Sequence, residues 1–251
     1  MAKISVLLPV FNEEQHIGAC LESVKWADEI LVVDSFSTDG TLEIARGYGA
    51  RIIQHEYINS ARQKNWALPQ CTHPWVLQID ADEELEVGAE CEIKAALSAA
   101  SEATDAFRLP RRNHFCGRWI RHAGMYPDYQ VRLLRRDAVH WADRNVHAHP
   151  LVLRQVGTLS HHILHDGAPF LSRQLRNLDR YTRYEADELI KQHKHFSWYR
   201  LLCHPWLIFC YRYLWLQGWR DGWRGLLICT YLAVYSFFTY AKLLELKREN
   251  N

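Results

Sequence analysis

Four short apolar runs, at 4–10, 30–33, 50–53 and 75–79, decide the fold class of this chain. They are rich in Val, Ile and Leu and continuous rather than alternating, the pattern of strands covered on both faces. Helical patterns fill the gaps at 14–24, 38–48, 60–68 and 87–99. Thr38 or Asp39 is placed to cap the second of these, with Gly47 and Gly49 at its far end. Strand–helix units in series predict an α/β chain with a Rossmann-like, mostly parallel sheet flanked by helices. Ligands of such sheets bind beyond the carboxyl ends of the strands.

Polar and aromatic residues gather at three of those ends. Asp80-Ala81-Asp82-Glu83 follows the run at 75–79. Two carboxylates at the end of a buried strand repel each other and need a compensating cation. Mg²⁺ or Mn²⁺ supplies one, and such ions take carboxylate oxygens together with substrate phosphates. Asp-x-Asp is common by chance, and it also fits a helix-capping turn or the nucleophile of a metal-dependent phosphohydrolase. A hydrolase of that kind carries it on the first strand. Here it follows the fourth, which favours a metal–diphosphate site. Asp34 ends the second run and either accepts hydrogen bonds from a nucleobase or ribose, or caps the next helix. Pro9-Val10-Phe11-Asn12-Glu13 ends the first. Phe11 suits stacking on a base, and Asn12 or Glu13 suits bonding its edge. No G-x-G-x-x-G follows the first strand and no G-x-x-x-x-G-K-[ST] occurs, so dinucleotide and P-loop readings lose their support.

The rest of the composition narrows the partners. A net charge of +1 over 251 residues argues against nucleic acid. Arginines cluster locally, from Arg108 through Arg111, Arg112, Arg118, Arg121 and Arg132 to Arg135 and Arg136, with Asp128 the only acid among them. Such a segment is either a surface for phosphate groups or a face balanced by acids from elsewhere. Seven cysteines without a C-x-x-C pair point to a reducing compartment. The opening residues pass straight into the first strand pattern and leave no room for a signal peptide.

From Phe170 the pattern turns helical, with Leu171, Leu175 and Leu178 on one face. Trp198, Trp206, Trp215, Trp219 and Trp223 crowd the tail, and residues 225–241 carry no charge. Seventeen helical residues rise about 25 Å, short of the ~30 Å hydrocarbon core. Aromatic rings flanked by Arg224 and Lys242 fit a segment lying in a membrane interface better than a spanning one. The expected organisation is a catalytic domain over 1–168 and a helical, membrane-associated extension over 169–251.

Three motifs, in order and spacing, carry a resemblance. They are Ile4 to Glu14, Ile30 to Thr41 and Asp80-Ala81-Asp82-Glu83, and they resemble family-2 inverting glycosyltransferases of the GT-A fold. The runs at 111–119 and 126–133, with Asp221-Gly222-Trp223-Arg224-Gly225, are similar to bacterial lipopolysaccharide core β-1,4-glucosyltransferases that act on an inner-core heptose. The resemblance implies a UDP-sugar donor, Mg²⁺ or Mn²⁺, a lipid-linked glycan acceptor, and a peripheral place on the cytoplasmic face of the inner membrane. It implies a uracil pocket at Pro9, Phe11, Asn12 and Glu13, a base or ribose contact at Asp34, and a donor-side cation at Lys64 within Gln63-Lys64-Asn65. It implies a ribose–metal–diphosphate site at Asp80, Ala81 and Asp82, with His165 a further metal ligand.

Inversion requires a carboxylate to deprotonate the acceptor on the face opposite the leaving group, and Asp128 is the candidate. The similar enzymes carry Val-His-Glu where this chain has Val146-His147-Ala148, which leaves the acceptor open. His147, His149, His161, His162 and His165 lie close together without a recognised zinc spacing. The competing readings are a polyprenyl-phosphate, O-antigen or capsule glycosyltransferase, a phosphohydrolase, and a non-catalytic sugar-nucleotide binder.

Overall fold

The computed structural model describes residues 2–142, 149–166 and 170–249. Val146, His147 and Ala148 lie outside them. The chain begins β1 (Ile4–Val10), α1 (Ile17–Val24), β2 (Glu29–Asp34), α2 (Thr41–Gly47), β3 (Arg51–Gln54), α3 (Ser60–Ala67), β4 (Trp75–Gln78), β5 (Glu83–Leu85) and α4 (Ala89–Ala99). It continues with β6 (Thr104–Phe115), β7 (Arg118–Trp119), β8 (Asp128–Arg135), β9 (Val139–Trp141), β10 (Pro150–Val152), β11 (Gln155–Thr158) and β12 (Ile163–His165). The helices α5 (Phe170–Lys191), α6 (Trp198–Leu202), α7 (His204–Cys210) and α8 (Gly222–Glu249) complete it. Two compact units result: Met1–Arg112 with Asp128–Asp166, and Asn113–Pro127 with Gly167–Asn251.

The first unit holds the expected sheet. Its strand order is β3-β2-β1-β4-β8-β6-β12-β5, with β11 beside β6. The first four strands of that order run parallel, whereas β8 is antiparallel to both β4 and β6. Alternate residues of β1 serve opposite faces. Val6 and Leu8 pack with Ile17, Leu21 and Val24 of α1, while Leu7 packs with Leu31, Val76 and the Ala61 and Ala67 of α3. Each such fully buried Leu or Ile contributes about 1.5–3 kcal/mol relative to exposure.

Register places the site. Val10 pairs with Asp34 and Leu7 with Gln78, so the carboxyl ends of β1, β2 and β4 share one edge. Because β8 runs the other way, with Leu133 opposite Leu77, its amino-terminal Asp128 reaches that same edge, where Arg111 of β6 pairs with it. His165 of β12 pairs with Glu83 of β5.

Two sequence expectations change in detail. The residue at the N-cap of α2 is Gly40, and Asp39 serves the helix from one position earlier, accepting from the Thr41 N–H at 3.1 Å. Three of the eight arginines in the cluster are balanced internally: Arg111, Arg112 and Arg132 pair with Glu83, Glu86, Asp80 and Asp128, acids that long-range pairing brings opposite them.

In the second unit, α5 packs on α8 through Ala186, Leu189, Leu243 and Leu246. The stripe expected from Leu175 and Leu178 continues to Thr182 and Ala186, and only that later part is covered. Leu175 itself is half exposed. Asp221 is buried and accepts from the His122 N–H at 2.8 Å, with His122 Nδ1 at 3.1 Å from its other oxygen. Gly225 allows the first turn of α8 to close on Gly218, because a Cβ there would lie 1.9 Å from the Gly218 carbonyl oxygen. Much of the Asp221–Gly225 motif therefore serves the fold. Among the described residues one helix, Gly218–Arg248, is long and apolar enough to cross a membrane, and 33% of its most apolar stretch is buried.

Candidate active site

Six charged side chains alternate in sign along one chain of contacts in the first unit. Lys64 Nζ lies 3.4 Å from Asp80 Oδ1. Arg132 Nη2 donates to Asp80 Oδ2 at 2.8 Å and to Glu83 Oε1 at 2.6 Å. Arg111 Nη1 donates to the same Glu83 oxygen at 3.0 Å, and its Nε and Nη2 donate to Asp128 Oδ2 at 2.9 and 2.8 Å. Gln78 supports one end, its amide donating to Asp80 Oδ1 at 2.8 Å, and Gln130 the other, donating to Asp128 Oδ1 at 2.6 Å. Glu83 has no exposed surface. A buried carboxylate of that kind persists only when paired and hydrogen-bonded.

These contacts set the ionisation states. Burial opposes the charge on Asp80, but Arg132 above all, then Lys64 and Arg111, outweigh it and hold the carboxyl far below the usual range. Burial also works against the Arg132 cation, and Asp80 and Glu83 more than compensate, raising its pKa. Arg111 is raised in the same way: Glu83 and Asp128 overcome its burial. For Lys64 burial prevails and lowers the ammonium pKa despite Asp80.

Asp82 points elsewhere. Its Oδ2 lies 3.3 Å from His165 Nε2, across two antiparallel strands. Among the described residues no three His, Cys, Asp or Glu side chains converge as a ready-made metal cage. An oxygen–imidazole pair completed by outside ligands would suit Mg²⁺ or Mn²⁺, ions that keep water and take substrate phosphates rather than fill an all-protein cage. His161 and His162 are engaged with Glu92 and Glu86 at 2.8 and 2.9 Å, whereas His165 faces the Asp-x-Asp segment through Asp82.

Further along the same edge, the carboxyl termini of β1 and β2 are tied together. Asn12 has φ +54° and clamps the second loop: its N–H donates to Ser37 Oγ at 2.9 Å and its Oδ1 accepts from the Thr38 N–H at 2.8 Å. Glu13 donates its N–H to Thr41 Oγ1 at 2.8 Å and holds His16 at 3.0 Å. Asp34 is fully buried. It accepts from the Ser37 N–H at 3.1 Å and from Gln54 at 2.9 Å, shaping the turn that follows β2. Pro9 is partly covered, Ala81 is buried, and the Phe11 ring is 57% exposed. On α3, Gln63 donates to Ser35 Oγ at 2.7 Å, and Asn65 exchanges hydrogen bonds with the backbone of Trp141 at 2.7 and 2.8 Å. Lys64 sits between them.

Lys64, Asp80 and Asp128 are site residues expected from the sequence, whereas Glu83, Arg111 and Arg132, which link the two aspartates, are not. A signal existed for one link: Gln78 is a polar residue in the otherwise apolar strand β4, and a buried polar side chain implies a buried partner.

A parallel half-sheet with acids at its carboxyl edge and an antiparallel strand returning a further carboxylate is the frame of a GT-A sugar transferase, and this chain is a glycosyltransferase. It belongs to Glycosyl transferase family 2, whose model matches residues 5–149. The lipopolysaccharide core biosynthesis glycosyltransferase LpsC of Rhizobium meliloti is 30% identical over 249 residues, covering 96% of this chain and 92% of the relative. The uncharacterized glycosyltransferase RT0209 of Rickettsia typhi is 28% identical over 98% of this chain and 88% of its own. Among solved structures, the mannosyltransferase PcManGT from Pyrobaculum calidifontis, in complex with GDP-Man and Mn²⁺, superposes with a TM-score of 0.56 at 15% identity over 97% of this chain and 87% of that one. Glucosyl-3-phosphoglycerate synthase from Mycobacterium tuberculosis, in complex with Mn²⁺, UDP and phosphoglyceric acid, gives 0.53 at 18% identity, covering 78% and 80%. At these identities the solved structures share the fold.

Proposed function

We propose that the chain transfers a hexose, glucose in the first instance, from a UDP-sugar to a heptose of the lipopolysaccharide core, inverting the anomeric centre with the help of Mg²⁺ or Mn²⁺. The observation that carries this is the charge chain joining Asp80, at the end of β4, to Asp128, at the start of β8. The family membership and the lipopolysaccharide-core relative support the acceptor class. The UDP and Mn²⁺ bound by a structurally similar enzyme support the donor and the cation.

Each residue has a part in this reading. Phe11 stacks on the nucleobase, and Pro9, Asn12 and Glu13 frame it with the turn that Asp34 holds. Asp82 and His165 hold the cation, with Asp80 meeting the ribose–diphosphate end and the Ala81 backbone between them. When bound, the cation offsets the charge that builds on the departing diphosphate. Lys64 faces the same phosphates. Asp128 takes the proton of the acceptor hydroxyl on Oδ1, while Arg111 fixes Oδ2 with two hydrogen bonds. The acceptor is lipid-linked, and the enzyme works as a peripheral protein on the cytoplasmic side of the inner membrane, with a catalytic domain over 1–168 and a membrane-associated extension over 169–251.

The test is UDP release from a panel of UDP-sugars, with truncated lipopolysaccharide, with a polyprenyl-phosphate acceptor and with none, in Mn²⁺, Mg²⁺ and EDTA. Metal-dependent release with UDP-glucose and truncated lipopolysaccharide is expected. Release only with the polyprenyl phosphate would move the acceptor, and no turnover of any UDP-sugar would overturn the donor.

A further inference from the structure

We propose that residues 198–223 of the second unit form a lipid-contacting face that lies flat on an anionic membrane surface. The proposal builds on the reading of a membrane-held acceptor and moves the contact from the uncharged run 225–241 to the segment before it.

Helices α6 and α7 are joined by Cys203, which keeps right-handed helical dihedrals, and a π turn at Tyr211–Trp215 extends them. Trp198, Leu202, Trp206, Phe209 and Tyr213 recur at spacings of four, four, three and four, which is one face of that helical run. Trp206 stacks on Phe209 at 5.9 Å and Phe209 on Tyr213 at 5.3 Å. The opposite face is the packed one: Leu201 is buried, and His204 Nδ1 lies 2.9 Å from Ser236 Oγ on α8. Trp206 is 66% exposed and Trp215, just past the stripe, 77%. Isolated apolar side chains on a surface need no explanation, but a continuous aromatic face marks a binding surface.

The charges name the occupant. Arg200, Arg212, Arg220 and Arg224 fall within or beside this segment, and its one acid, Asp221, is buried against His122. Amphipathic aromatic rings bordered by arginines suit the headgroup region of an anionic bilayer. Arg212 and Arg224 donate to the carbonyls of Ala123 and Phe115 and brace the fold, whereas Arg200 and Arg220 bond neutral groups, the His195 carbonyl and the Gln217 side chain, and keep their charge for anionic headgroups.

The packing of α8 sets the orientation. Tyr231 Oη donates to Gln174 of α5 at 3.1 Å, and Lys242 Nζ bonds Asp179 at 2.6 Å. Alongside these contacts α5 carries Arg176, Arg180, Arg183, Asp187 and Glu188. Were α8 to cross the bilayer in this packing, it would draw those charges into hydrocarbon. A helix pair lying in the interface keeps them in water.

The experiment is sedimentation of the full chain with phosphatidylethanolamine–phosphatidylglycerol vesicles and with phosphatidylcholine vesicles. The wild type is expected to bind the anionic vesicles preferentially, and less so at high salt. The Trp206→Ser/Trp215→Ser variant is expected to lose at least about tenfold in partitioning. Arg200→Gln/Arg220→Gln is expected to lose the preference for anionic lipid. Circular dichroism checks folding, with Trp215→Ser alone as the milder variant. Activity on a lipid-free core oligosaccharide is measured in parallel. It stays at the wild-type level in the Trp variant, and its absence in the wild type would count against the catalytic reading alone. Unchanged sedimentation of the Trp variant, equal binding to both vesicle types, or a lipid-free dimer abolished by Trp215→Ser would overturn the proposal.

Discussion

Glu83 and Arg132 form an ion pair at 2.6 Å in which neither side chain has more than 6% exposure. The same Glu83 oxygen takes a second hydrogen bond from Arg111, so one buried carboxylate links the guanidinium that grips Asp80 to the one that grips Asp128. Replacing it removes a charge that two buried cations depend on. Glu83→Gln is expected to destabilise the protein by about 3–5 kcal/mol, since breaking a buried pair leaves its partners uncompensated. Chemical denaturation measures this, and a loss below about 1 kcal/mol would mean that the pair is not holding the site together.

In the proposed reaction Arg111 acts through Asp128, which it holds with two hydrogen bonds. Asp128→Asn is expected to lower kcat by about 10²–10⁴-fold while UDP binding stays near the wild-type value. Arg111→Lys keeps the charge but loses the forked geometry, and it is expected to lower kcat more than it raises KM. Steady-state kinetics beside calorimetric UDP binding separates the two effects. Wild-type transfer by Asp128→Asn would remove its role as base.

Asp82 and His165 share the proposed cation. Asp82→Asn and His165→Ala are each expected to raise the Mn²⁺ concentration needed for half-maximal activity by roughly 10–100-fold, with melting temperatures close to wild type. Mn²⁺ titration of activity checks this. An unchanged titration in both variants would place the cation elsewhere.

The amino-terminal edge of the sheet gives a pH dependence. Burial works against the charge on Glu29, but hydrogen bonds from Ser5, Thr72 and Arg51 prevail and bring its carboxyl from 4.5 down to about 2. A folded-state value below the unfolded one means stability that is complete above about pH 4.5 and lost as pH falls towards 2. Solvent screening at this partly open site reduces the stabilisation to about 1–2 kcal/mol. Glu29→Gln is therefore expected to flatten the stability curve between those limits in acid-denaturation experiments.

The parallel half of the fold was legible because buried strands are written as uninterrupted apolar runs: β1 matches its run, β2 and β3 depart from theirs by one residue at each end, and β4 by one at its carboxyl end. The carboxyl edge of the sheet, where the nucleotide site is proposed, was legible for the same reason, since Phe11, Asp34 and Asp80 stand at or just past the ends of those strands. The interior of the charge chain was not. Glu83 lies 28 residues from Arg111 and 49 from Arg132, and only the antiparallel return of β8 beside β4 makes them neighbours. Local pattern carries no record of that pairing. The covered part of α5 was hidden for a related reason, because Leu175 and Ala186 share a stripe and only α8 decides which of them is buried.

The most direct test of the central claim is analysis of the product formed from UDP-glucose and truncated lipopolysaccharide in Mn²⁺, by NMR of the new anomeric centre. One β-linked hexose on a core heptose is expected for each UDP released, formed at least about a hundredfold more slowly by Asp128→Asn. An α-linked product, or UDP release without transfer to the acceptor, would contradict it.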